Sequence, residues 1–301
     1  MTAREITVGV VAPAYVNVPL WVAQRRGFLD QQGLRAAQTI VGTTEGTTQA
    51  VRDGDVDLAL TAPEGSIADA AAGGPLRVAA GLIDRPPLSL IALGRHRTFG
   101  DLRGGRIGTS SLKEGTRHVA ERMLAAHGLR YPGDYDWALE GSHIERWKAL
   151  QAGTIDAALQ MIPYDYIAEE AGFTNLGAAA EDFAFNAVCV RDDIDHALLT
   201  GFLRAMLQAV GWFRGNVTQA AAIAAAETSV EERHAVRACR ALSADGVIPA
   251  SLRIGPAAFG AAVEALRLSG GLPSGQANPA AALDYTCLDR ALNVTPGGSS
   301  A

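Results

Sequence analysis

Apolar positions along the chain fall into short continuous runs separated by stretches with helical spacing. Residues 6–11 form a β-branched run suited to a strand buried on both faces. Pro13 ends it, and Ala14, Tyr15, Val16 and Asn17 lead to Pro19, a favoured first-turn position for a helix. Leu20, Val22, Ala23 and Phe28 give that helix an apolar face, and it closes at Gly33-Leu34. A second run over 36–41 enters Gly42-Thr43-Thr44-Glu45-Gly46-Thr47, then a helix, then a strand over 56–60. This alternation of β and α predicts an α/β lobe, a mostly parallel sheet flanked by helices.

The pattern then restarts. An apolar strand over 88–93 is followed by Arg106-Ile107-Gly108-Thr109 and a helix over 116–127 that closes at Gly128-Leu129, as the first helix closes at Gly33-Leu34. A strand over 135–139 and a helix over 144–151 follow. Gly54-Asp55-Val56-Asp57-Leu58-Ala59-Leu60 then comes back as Gly153-Thr154-Ile155-Asp156-Ala157-Ala158-Leu159, each copy trailed by a proline, Pro63 or Pro163. The interval of about one hundred residues is too long for a solenoid and suits two lobes of one architecture. Two such lobes facing each other make a cleft. A further strand over 186–191 leads into helical spacing that continues to residue 268, and the small, polar tail over 296–301 is expected to be disordered.

Composition narrows the function classes. At 301 residues there is room for two lobes, and 48% hydrophobic with 19% charged residues describes a soluble globular protein. A net charge of −6 argues against a nucleic-acid partner, which needs a basic face. Lys113 and Lys148 are the only lysines, so a Schiff-base mechanism has two candidates. Cys189, Cys239 and Cys287 form no CxxC pair, and the six histidines show no metal-ligand spacing, so no metal or cofactor is expected. No apolar stretch is long enough to span a bilayer. Met1 to Glu5 runs straight into the first strand without a basic n-region and an apolar h-region. The expectation is a cytoplasmic protein as the sequence stands, or a periplasmic one whose signal has been removed.

In an open α/β sheet, ligands meet the loops at the carboxyl ends of strands, where helix N-termini point exposed N–H groups. Four loops qualify: Tyr15 and Asn17 after the first strand, Thr43 and Thr44 after the second, Thr61 to Glu64 after the third, and Thr109, Ser110, Gly115 and Thr116 opening the second lobe. Their hydroxyls suit a carboxylate, sulfonate or similar anion, or serve only as helix caps. Tyr15, Trp21, Tyr164 and Phe185 offer stacking surfaces for a heterocycle, with Trp21 the better core residue and Tyr164 the better cleft residue. Asn186 is a candidate polar anchor or a turn residue. Glu64 and Asp165 each follow a motif-ending proline; facing the cleft, both would favour an amine, with Arg117 and His118 to counter them.

The ordered motifs resemble those of type II periplasmic solute-binding proteins, in the branch of alkanesulfonate, taurine and nitrate binders that includes the NMT1/THI5-like proteins. The carriers are Asn17-Val18-Pro19-Leu20-Trp21-Val22-Ala23 with Arg26-Gly27-Phe28-Leu29, Gly54-Asp55-Val56-Asp57, and Asp101-Leu102-Arg103-Gly104-Gly105-Arg106-Ile107-Gly108. Gly115-Thr116, Ala149 to Ala158 and Pro163 complete the set, over roughly residues 6–215. The resemblance implies a periplasmic-binding-protein-like fold with two crossover strands, near 90–95 and 188–191. Lobe one would hold 1–91 plus 190–301, and lobe two 92–189. It implies a monomeric receptor closing by a hinge over a small organic ligand and delivering it to an ABC-type permease.

The same resemblance keeps an enzyme in view, decarboxylase-, desulfinase- or thiamine-pyrimidine-synthase-like, with Glu64 or His118 as acid or base. Two of its known chemistries lack their residues. The fungal pyrimidine synthases carry a cysteine-rich motif and the aryl-sulfinate desulfinases a cysteine near the first helix, whereas the first cysteine in this chain is Cys189. There is no GxSxG elbow, P-loop lysine or HExxH. The catalytic set is empty.

Overall fold

A computed structural model describes residues 3–112, 115–272 and 278–293; Lys113 and the tail over 296–301 lie outside the described residues. Among the described residues, ten strands form two five-stranded sheets. The first half supplies β1 (Arg4–Val10), β2 (Leu34–Ile40), β3 (Leu58–Thr61), β4 (Leu76–Ile83) and β5 (Leu88–Ala92). The second supplies β6 (Gly105–Thr109), β7 (Tyr135–Leu139), β8 (Ala157–Met161), β9 (Thr174–Ala178) and β10 (Asn186–Arg191). The sheet orders, β2-β1-β3-β10-β4 and β7-β6-β8-β5-β9, are the same topology twice. Each half lends its last strand to the other's sheet. In each sheet four strands run in one direction, and the lent strand lies antiparallel to both its neighbours.

The chain passes between sheets over residues 84–87 and 179–185. Both passages fall ahead of the 91/92 and 189/190 junctions expected from the sequence, because β5 pairs along its length in the second sheet and β10 in the first. A run buried on both faces carries no mark of the sheet it joins. Strands β4 and β9 had no counterpart in the hydrophobic reading. The two passages are tied together: Phe183 N–H donates to Asp84 O at 2.6 Å, and Arg85 pairs with Asp182 at 2.9 Å.

Helices α1 (Val18–Arg25), α2 (Thr44–Asp53) and α3 (Glu64–Ala71) flank the first sheet, and α4 (Gly115–Ala126), α5 (His143–Ala152) and α6 (Tyr164–Glu170) the second. Five more follow: α7 (His196–Gly215), α8 (Val217–Thr228), α9 (Glu232–Leu242), α10 (Pro256–Leu268) and α11 (Thr286–Leu292). α7 and α8 pack on α1, while α10 touches both α3 and α4. The doubled motif has a structural cause in each lobe. Gly54 (φ 78°) and Gly153 (φ 67°) end α2 and α5 in the left-handed region that a side chain disfavours. Asp57 accepts from the Thr7 N–H at 2.6 Å, and Asp156 accepts from the Arg106 N–H at 2.8 Å, so each aspartate anchors the central strand of its sheet.

Candidate functional site

Four helices begin at carboxyl ends of strands that face one another: α2 after β2, α3 after β3, α4 after β6 and α5 after β7. Between them lies a cavity of about 760 Å³ with walls from both lobes. The N-terminal groups are built to stay polar. Thr43 caps α2 by accepting from Gly46 N–H at 3.0 Å, and Ser142 caps α5 by accepting from Ile144 N–H at 3.2 Å. The first-turn N–H groups of a helix, with the helix dipole behind them, favour negative charge.

Eight of the expected site residues line this cavity. Lobe one contributes Asn17, Thr43, Thr44 and Glu64; lobe two contributes Ser110, Gly115 and Thr116; Asn186 stands where the second passage enters β10. Gly115 allows the close approach of the lobes, since a Cβ there would meet Glu64 Oε1 at 2.2 Å and Phe183 Cζ at 2.3 Å. Asn17 is partly committed to structure, its Nδ2 donating to Ala12 O at 2.8 Å. Asn186 is buried, and its Oδ1 has no partner among the described residues. A β-bulge between Asn186 and Ala187 breaks the pairing of β10 with β4 at this point, and such breaks re-aim side chains.

The other five lie outside the cavity wall. Tyr15 is core, edge-on to Trp21 and 3.5 Å from the Thr228 hydroxyl, with burial pushing its phenol up to about 12. Thr61 is fully buried, and the buried Thr109 hydroxyl donates to Ser111 O at 3.3 Å. Tyr164 packs edge-on against His143. Asp165 sits at the second position of α6, whereas Glu64 opens α3, so the two are not equivalent. That extra residue turns Asp165 toward Ser89 Oγ at 3.1 Å, and burial pushes its carboxyl up to about 6.

Sequence reasoning missed the charged part of lobe two. Arg146 and His143, both buried, line the cavity beside Ser142. Arg146 Nη1 donates to Gly141 O at 2.9 Å. Burial, reinforced by Arg146, pulls the His143 imidazole down to about 4, so it is neutral at pH 7. The repeat carried a signal for this edge, because Ser142 stands before Gly153 as Thr43 stands before Gly54. Arg117, expected to supply the cation, instead pairs with Glu121 at 3.2 Å and lies over Tyr131 and Trp137. Thr48 was also missed; it is a residue of the cavity wall, and its buried hydroxyl has no partner among the described residues. Phe185 and Met161 add apolar wall.

The site can hold a polar organic molecule with an acidic end toward Arg146 and the α4 and α5 N-termini. Its nucleophile inventory is poor. The three cysteines are buried, with burial pushing Cys189 and Cys239 up to about 12. Among the described residues, no group of three or more His, Cys, Asp or Glu is placed to hold a metal, and no helix is long and apolar enough to cross a membrane.

Comparison with known proteins places these features in a lineage. Residues 16–220 match the family model described as NMT1/THI5 like. The 4-amino-5-hydroxymethyl-2-methylpyrimidine phosphate synthase THI5 of Saccharomyces cerevisiae is 26% identical over 173 residues, 56% of this chain and 49% of that protein. The synthase of the same description from Uromyces fabae is 28% identical over 146 residues, 48% of this chain and 41% of that protein. The chain thus spans about half the length of the curated relatives it matches, or less. Among solved structures, the alkanesulfonate-binding protein SsuA from Xanthomonas axonopodis pv. citri, bound to MOPS, has a TM-score of 0.76 at 16% identity, covering 94% of this chain and 99% of that one. The nitrate-binding protein NrtA from Synechocystis PCC 6803 has a TM-score of 0.77 at 11% identity, covering 96% and 88%. At such identities these likenesses show the fold, a two-lobe periplasmic-binding-protein-like α/β architecture. The family match covers more than half of the chain, and the chain belongs to the NMT1/THI5-like family.

Proposed function

We propose that this protein is a small-molecule binding protein that closes over its ligand between the lobes and serves as the substrate-binding component of an ABC-type transporter. The observation that carries this reading is the cavity of about 760 Å³ bounded by four helix N-termini from two lobes. Its size falls in the range of small-molecule sites. The ligand is a small organic molecule whose carboxylate or sulfonate meets Arg146 and the lobe-two helix N-termini, and whose polar or heterocyclic body meets Thr48 and Asn186. The working unit is a monomer that delivers its cargo to a permease. Support comes from the fold shared with proteins named for binding alkanesulfonates and nitrate.

A second reading is an enzyme on the same scaffold. It is favoured by the curated relatives, which are named as pyrimidine phosphate synthases, but the imidazole of His143 at the cavity is pulled down to about 4. A ring so strongly held neutral is a weak base, which counts against it as the proton acceptor.

A thermal-shift screen of carboxylates, sulfonates and nitrogen heterocycles separates the two. A ligand at one hundred times its Kd stabilises by about 2.7 kcal/mol. Recovery of the best ligand unchanged in mass after prolonged incubation is the expected result. Conversion to a product replaces the binder with the enzyme.

A further inference from the structure

The lobes are joined by two covalent passages and also by a charged contact between helices. α6 lies on strands of the second sheet, while α9 rests on α8 and the turn Tyr15–Asn17 of the first lobe. Where they meet, the signs segregate: Glu169 and Glu170 stand on α6, Arg233 and Arg237 on α9, with His234 beside them. Arg237 lies 3.6 Å from the centre of the Tyr166 ring, and its Nη2 is 3.3 Å from Glu169 Oε2. Arg233 Nη2 is 2.9 Å from Glu170 Oε2, which is also 3.5 Å from His234 Nε2. Arg233 and Arg237 are one helical turn apart, so one face of α9 presents both. The glutamates occupy the C-terminal end of α6, where the helix dipole disfavours carboxylates. Glu169 also accepts from Asn175 Nδ2 at 2.6 Å within its own lobe, but Glu170 finds its partners on α9.

We infer that this contact is an interlobe latch that sets the fraction of molecules with closed lobes, and through it the ligand affinity. The inference rests on the two-lobe clamp proposed above. Exposed ion pairs are individually weak. Here they share one patch with a cation stacked on an aromatic ring, and several small terms acting on one equilibrium multiply. Because apparent affinity scales with the binding-competent fraction, a latch that favours closure tightens binding without touching the ligand.

The test needs no ligand. Spin labels at Thr39→Cys on β2 and Asp136→Cys on β7, both exposed, report the interlobe distance by double electron–electron resonance in the full chain; the native cysteines are buried. The expected parent result is one dominant distance. Arg233→Glu with Arg237→Glu raises a second, longer population several-fold, and adding Glu169→Arg with Glu170→Arg restores the parent distribution. A folded charge-reversed protein with the parent's distribution, or a swap that restores nothing, overturns the latch. Should the reversed variant fail to fold, Arg233→Gln with Arg237→Gln is read by the same criteria, an unchanged distribution again being decisive against it. A latch that responds while the ligand screen stays empty would count against the proposed function alone.

Discussion

Two buried oxygens, Thr48 Oγ1 and Asn186 Oδ1, lie on residues of the cavity wall and have no partner among the described residues. An unsatisfied buried polar atom costs stability, and a small side-chain rotation on ligand binding would let it take a hydrogen bond from the ligand. Asn186→Leu is therefore expected to leave the melting temperature unchanged or raised while weakening the best ligand about 5- to 150-fold, from a loss of about 1–3 kcal/mol. Calorimetric titration beside a thermal melt checks both halves. Asp84 makes a different statement. Burial raises its pKa from 3.8 to about 6, despite the Gly255 N–H that donates to it at 2.7 Å. The native state then binds more protons than the unfolded chain, so this contribution is complete below about pH 4 and is lost as pH rises through 6. Asp165 acts in the same sense, and His143, lowered to about 4, opposes both. The difference between parent and Asp84→Asn isolates one group: the variant should gain on the order of 2–3 kcal/mol relative to the parent between pH 4 and 7. Equal pH slopes in urea titrations would contradict it. At this scale the loop hydroxyls were legible because they sit at strand ends. Arg146 and His143 were not, because a charged residue inside a helical stretch looks the same in sequence whether it faces water or a cavity.

Among the elements, the repeated glycine and aspartate do the same job in both lobes. Asp57 ties β1 to the start of β3, and Asp156 ties β6 to β8 while also meeting Arg95 at 2.6 Å and His96 at 3.0 Å. Asp57→Ala should cost about 1–2 kcal/mol, from charge-assisted hydrogen bonds at a partly solvated site. Asp156→Ala should cost more, since it also releases Arg95 and His96. Chemical denaturation with an unchanged slope is the measurement, and a neutral Asp57→Ala would remove the structural account of the repeat. The hydrophobic pattern located β1 to β3 and β6 to β8 because each is a buried run closed by a turn signal. It misplaced the passages between sheets, since β5 and β10 are apolar on both faces and nothing local distinguishes joining one's own sheet from joining the other. The exchange of last strands is a long-range pairing, visible only once both sheets are assembled.

Across the whole molecule, the two passages, the Arg85–Asp182 pair and the α6–α9 contact hold the lobes around one cavity. The fold class was readable from the internal repeat and the ordered motifs, and the family match agrees with that reading. Ligand chemistry was not, because charge at the cavity depends on which of several arginines reach its wall: Arg52 and Arg146 do, and Arg117 does not. The central claim is that a small molecule binds between the lobes. It is tested most directly by titrating the best ligand from the screen into the parent and into Thr44→Trp and Thr116→Trp, which place bulk in the cavity from lobe one and lobe two. One site per chain is expected in the parent and no measurable binding in either variant, with melting temperatures close to the parent's. Parent-like affinity in both folded variants would contradict it.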